Sequence, residues 1–174
     1  MKILKTLLAL VLLSTPALAG MNYPPIVAGQ IPGTTTNNNA ASGKIGEYVI
    51  NTIASSSPVP ITTGGTGTVF NSINLTPGDW DVSFQSCYIG DTTTSLTRLV
   101  SSVSTTTTID NTLPRRIDMA YPASLPFVNG AICLQSLPAR FSLGTTTTIN
   151  QLGYADFTIS TLSVYGIITA RRVR

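Results

Sequence analysis

From Gly43 onward, short runs of alternating apolar and polar residues recur about every ten positions, a spacing that predicts the strands of a sandwich or barrel. The runs are Ile45–Ile53, Val59–Thr62, Thr66–Leu75, Trp80–Tyr88, Thr94–Val103, Arg115–Tyr121, Ala131–Ser136, Ala139–Leu143, Thr146–Leu152 and Ala155–Val173. Between them stand Ser57-Pro58, Gly64-Gly65, Thr76-Pro77-Gly78, Gly90-Asp91 and Asn129-Gly130, all with turn chemistry. The last run is long enough to predict a bend or bulge near Gly166. Within Trp80–Tyr88, the period of two puts Trp80, Val82, Phe84 and Tyr88 on one face. Asp81, Ser83, Gln85 and Cys87 fall on the other. With no helical period after residue 20, the expected fold is all-β: an antiparallel, jelly-roll-like β-sandwich over residues 44–174.

The residues before it follow different patterns. Lys2 and Lys5, the apolar run Leu7–Leu13 and Ala17-Leu18-Ala19 give residues 1–19 the form of a secretory signal peptide. The run is too short to cross a bilayer. Residues 20–43, rich in Gly, Pro, Thr and Asn, show neither period and predict an extended linker or arm.

Composition supports one β-domain. The chain of 174 residues is enough for a single core. Its hydrophobic fraction of 43% against 10% charged residues is too apolar for a disordered protein. The polar surface must come from hydroxyls and amides, and 27 residues are Thr, which suits a pleated, half-buried surface. The formal charge is +3; without Lys2 and Lys5, eight basic residues face seven acidic ones, a net of +1. Three of those eight are Arg171, Arg172 and Arg174, so no basic face for nucleic acid remains. These arginines predict either a solvated tail that protects a sheet edge or a contact with an acidic partner subunit or an anionic surface.

Catalytic chemistry finds little support in the residues. There is no His to serve as a base near neutral pH, and Lys44 is the only Lys after the signal-like segment. The loop Thr63–Thr68 has glycines but no following helix to hold a phosphate. Asp79 and Asp81 flank the only Trp, yet strand parity turns Trp80 inward and Asp81 outward, and Asp79 is expected in the Pro77-Gly78 turn. No enzyme and no cofactor are expected. Cys87 and Cys133 are the only cysteines, both outward by parity, and form either a cross-strand disulfide or two free thiols. No zinc spacing is present. The stretch Met119–Gly130 predicts a long loop with Tyr121, Phe127 and Asn129 as candidate binding residues, unless Phe127 fills the core. Finally, Ser104–Asp110 and Gly144–Asn150 echo each other as "STTTTID" and "GTTTTIN". Either they mark two equivalent edges of a double-layered sheet or the echo is coincidence.

The ordered set "GQIPGTTTNNNAASGKIGEYV" (Gly29–Val49), "INLTPGDWDVSF" (Ile73–Phe84), "LPARFSL" (Leu137–Leu143) and "TLSVYGIITARRVR" (Thr161–Arg174) resembles bacteriophage and prophage virion surface proteins. These are C-terminal tail-fibre-head-like β-domains with a terminal YG-x-I-x-A-R-R-V-R motif. The resemblance spans Gly29–Arg174. It implies a particle-surface module, typically a homotrimer, that contacts other virion proteins and either binds a host-surface glycan or protein or decorates the capsid or tail. It implies no catalytic residue and no nucleic-acid ligand. The signal-like segment points to an alternative, a secreted or envelope-associated bacterial adhesin built on the same domain.

Overall fold

The computed structural model describes residues 39–174 apart from Gly65, Val128, Asn129 and Ile159. The signal-like segment, residues 20–38 of the expected arm and Asn129 of the expected binding loop lie outside the described residues. Ten strands follow in order: β1 (Tyr48–Ile53), β2 (Val59–Ile61), β3 (Thr68–Leu75), β4 (Gly78–Gly90), β5 (Ser95–Ser104), β6 (Arg116–Pro126), β7 (Ile132–Gln135), β8 (Ala139–Leu143), β9 (Thr147–Thr158) and β10 (Leu162–Arg172). No helix occurs among the described residues.

The strands form two antiparallel sheets. In the first, β10 and β4 pair centrally; β1 and β2 line the far side of β10 in succession, and β8 and β7 line the far side of β4. The second sheet has the order β3-β9-β5-β6. Counting β1/β2 and β7/β8 as two interrupted strands leaves eight strand positions shared by two sheets, the order of a jelly roll. The second interruption is held by β4 itself. Phe84 N–H donates to Ser136 Oγ at 2.8 Å, and Ser136 N–H donates to the Phe84 carbonyl at 2.9 Å.

Alternation builds the core as the strand period requires. Trp80, Val82, Phe84 and Tyr88 of β4 face inward with Leu162, Val164, Ile168 and Ala170 of β10, all nearly or fully buried. The core has two apolar halves, one around Trp80, Phe84 and Phe141, the other around Tyr88, Leu99 and Phe127. A buried polar crosspiece joins the sheets near this division. Asn71 Nδ2 donates to Gln151 Oε1 at 3.1 Å, and Gln151 Nε2 donates to the Gln85 carbonyl at 2.9 Å and to Ser86 Oγ at 3.0 Å. Its polar atoms are thereby satisfied without water.

Three expectations are corrected here. Met119–Gly130 is not a loop through its length, because β6 continues to Pro126, with a register shift opposite Leu96 and Arg98. It is an edge strand, which tolerates Pro122 and Pro126 because their missing N–H groups cost no ladder bond there. The expected run Ala155–Val173 is the end of β9, a connection and β10. Gly166 does not mark a bend; it pairs in register with Ser86 and Ile53. A Cβ there would stand 2.1 Å from the Gln85 carbonyl oxygen, so close sheet packing accounts for the glycine.

Candidate functional site

The terminal arginines do not act as a unit. Arg172 is the last inward position of β10, and it is buried within its own subunit rather than held out in a tail. Its Nε donates to Glu47 Oε2 at 3.0 Å and its Nη1 to the Pro77 carbonyl at 2.6 Å. Its Nη2 donates to Thr76 Oγ1, and the guanidinium lies 4.2 Å from the centroid of Trp80. Gly78, at φ +138°, leaves room for it, since a Cβ would collide with Nη1. Glu47 is buried, which raises its pKa, but the Gly43 amide and Arg172 outweigh this and hold its carboxyl below the usual range. Arg174 is exposed and pairs with Asp79 at 2.6 Å. Only Arg171 projects outward from β10 as an exposed cation with no ion pair among the described residues.

Asp79 stands on β4, not in the preceding turn, and its carboxylate is taken by Ser142 and Arg174. Asp81 faces outward and pairs with Arg140 at 2.8 Å. Cys87 and Cys133 oppose each other directly on β4 and β7 and are joined in a disulfide. Of the expected loop residues, Phe127 is 3% exposed and fills the second half of the core, the alternative left open for it. Tyr121 is half-buried against the same cluster, with its hydroxyl directed to Met119 Sδ. The Thr-rich echoes lie side by side at one end of the second sheet, not at equivalent edges. Ser104 pairs with Asn150, whose Nδ2 donates to the Thr106 carbonyl at 3.0 Å.

That neighbourhood contains a concavity. The β5–β6 connection, residues 105–115, folds back over the outer face of the second sheet. Asp110 N–H donates to Ser102 Oγ at 3.0 Å, and Ile109 N–H reaches the Thr66 carbonyl at 3.4 Å. Beneath it lies a groove of about 390 Å³, lined by Thr66, Arg98, Val100, Thr108, Ile109, Asn111, Arg116 and Tyr154. Cross-strand register assembles its floor: Val100 faces Tyr154 on one side and Asp118 on the other.

One carboxylate organises its charges. Arg98 Nε and Nη2 donate to Asp118 Oδ1 and Oδ2 at 2.9 and 2.6 Å, and Arg116 Nη2 donates to the same Oδ2. The hydrogen bonds from Arg98, followed by both guanidinium charges, hold the Asp118 carboxyl below the usual range against partial burial. Arg116 Nη1 donates to Asn111 Oδ1. Arg116 Nε is buried without a partner among the described residues. The Tyr154 hydroxyl donates to Asp156 at 2.6 Å, a bond that, together with burial, raises its pKa. The Arg98 guanidinium lies 5.9 Å from the Tyr154 ring centroid.

The two outer sheet faces differ in chemistry. Strand parity places Thr52, Ile167, Gln85 and Gln135 in one outward row of the first sheet, with Tyr165, Cys87 and Cys133 in the next. These rows carry no charge; charges appear only in the row of Tyr48, Arg171, Asp81 and Arg140 and beyond it. Ile50 is 50% exposed and Leu137 74% exposed on this face, beside a depression of about 450 Å³ lined by Ser83, Gln135, Pro138 and Ile167 among others. Among the described residues, no cluster of three or more His, Cys, Asp or Glu side chains is placed to hold a metal ion.

Arg98, Asn111, Arg116 and Tyr154 were not singled out from the sequence, because no linear spacing unites them. Outward parity on Thr94–Val103 and Arg115–Tyr121 was the available signal. Arg172 was expected in a solvated tail or subunit contact, although it shares parity with the buried Ile168 and Ala170. No protein-family model and no curated protein matches the chain.

Proposed function

We propose that the chain is a non-enzymatic surface module of a virion, of the tail-fibre or spike-head kind, that self-associates and binds a host-surface glycan or protein. The observation that carries this reading is the unequal chemistry of its two outer faces. One is an uncharged, hydroxyl- and apolar-rich sheet surface with Ile50, Ile167 and Leu137 exposed or half-exposed, which suits burial against a second copy. The other carries a polar groove roofed by a connection between strands, the arrangement in which rigid β scaffolds place ligand sites. The homotrimer and the contacts with other virion proteins belong to the same proposal, with Arg171 at the charged end of the association face.

The signal-like residues 1–19 favour a second reading, an exported or envelope-associated adhesin with the same two faces. Fractionation separates the readings. Antibody against the domain should label purified particles under the first reading and the cell envelope or culture fluid under the second. Light scattering tests self-association, and a monomer at micromolar concentration contradicts it.

A further inference from the structure

We infer that the groove over the second sheet is a saccharide site selective for a carboxylated sugar, such as a sialate or uronate unit. This deepens the receptor-binding reading above and rests on it.

The inference comes from counting donors and acceptors. Asp118 is the only carboxylate between the two arginines, and both its oxygens are used, Oδ2 twice. Arg98 Nη1 and Asn111 Nδ2 have no partner among the described residues, although Arg98 Nε, Arg98 Nη2 and Asn111 Oδ1 are engaged. The Tyr154 hydroxyl, the one other strong donor in the lining, is already committed to Asp156. The groove thus holds surplus donors beside two cations and two carboxylates, Asp118 shared by the arginines and Asp156 opposite Arg98. A ligand that brings acceptors to the free guanidinium and amide donors completes it. A carboxylate does so with planar geometry matched to a guanidinium edge.

The rest of the lining selects for a sugar ring around that carboxylate. Ile109 and the Tyr154 ring, over the buried Val100, give an apolar surface for the C–H face of a pyranose. The Thr66 and Thr108 hydroxyls supply groups that both donate and accept, as ring hydroxyls require. The volume of about 390 Å³ lies in the range of small-ligand sites. A nucleic acid would need a continuing track of cations, and the lining has only Arg98 and Arg116.

The test is a titration of the full-length, ¹⁵N-labelled protein with 3′-sialyllactose and with tetragalacturonate, each compared with its carboxyl-reduced counterpart. At least one acid should shift the amides of Thr66, Val100, Thr108 and Tyr154, with at least tenfold weaker binding of its reduced form. Asn111→Ala should weaken that binding several-fold without changing the melting temperature, and Arg98→Lys should weaken it several-fold. Equal affinity for acid and reduced forms, no binding of either pair, or shifts confined to other surfaces would overturn the inference. The comparison of acid with reduced sugar uses the unmodified protein, so it stands if a variant fails to fold. Particle labelling without acid-selective binding removes this inference alone, whereas acid-selective binding by a protein absent from particles removes only the virion reading.

Discussion

Replacing Arg172 with Ala should destabilise the domain far more than the loss of a terminal surface arginine. Its side chain is 4% exposed and that of Glu47 is 10% exposed, so the pair is buried across 125 positions of sequence. Truncation strands the Glu47 carboxylate and leaves the Pro77 carbonyl and Thr76 hydroxyl without their donor. It also uncovers the face of Trp80. Removing one partner of a buried pair costs about 3–5 kcal/mol. Glu47 keeps the Gly43 amide at 2.7 Å, which places the expectation near the lower end, about 3–4 kcal/mol. With a urea m-value of about 1.5–2 kcal/mol/M, the unfolding midpoint should fall by about 2 M. Arg172→Lys should recover no more than half, since an ammonium lacks the planar fork and stacks less well on the indole. The double variant Glu47→Gln/Arg172→Met should lose less than Arg172→Ala alone, because no charge is left buried. A loss below about 1 kcal/mol for Arg172→Ala, with unchanged m-value, would refute the reasoning and restore the solvated tail.

Three further outcomes follow from the same structure. Reduction of the Cys87–Cys133 bond, or Cys87→Ser with Cys133→Ser, should lower stability by about 2–4 kcal/mol, since it frees a closure over 46 positions; an unchanged thermal midpoint with reductant contradicts this. Gly166→Ala should cost about 3 kcal/mol or more, because its methyl group meets the Gln85 carbonyl, whereas Gly144→Ala, with nothing within 4 Å, should be near neutral; equal unfolding midpoints for the two would be inconsistent with the close approach. Stability should be flat between about pH 5 and 8, since the chain has no His, and both cysteines are bonded. Glu47, Asp110 and Asp118 have folded pKa values below their unfolded ones, so their contribution is complete above about pH 4–5 and disappears as pH falls through the folded values. A denaturation midpoint that changes between pH 5.5 and 7.5 would oppose that assignment.

Most strands were legible because one face of each is buried and period two survives in the residues. Trp80, Val82, Phe84 and Tyr88 show this plainly, and all are buried. The boundary between β9 and β10 was not legible, since Ser160-Thr161 lacks the Gly or Pro that announces most turns. The second half of β6, beyond the expected strand Arg115–Tyr121, was hidden for the opposite reason, because Pro122 and Pro126 signal a loop, although an edge accepts them. Edge protection was expected of the terminal arginines, without a named strand. Asn39 bonds both backbone groups of Tyr48, and Asn51 Oδ1 accepts from Thr52 N–H, so two amides cap an edge that the arginines do not cover. The groove depends on register between strands distant in sequence, which brings Arg98, Arg116 and Tyr154 together, and such register has no linear signature.

The central claim, a binding module displayed on a particle, is tested most directly by immunogold electron microscopy of purified particles with antibody to residues 39–174. Gold on the surface of intact particles, lost when the antibody is preabsorbed with the purified domain, is the predicted result. Unlabelled particles, with the protein recovered only from the cell envelope or culture fluid, would contradict it.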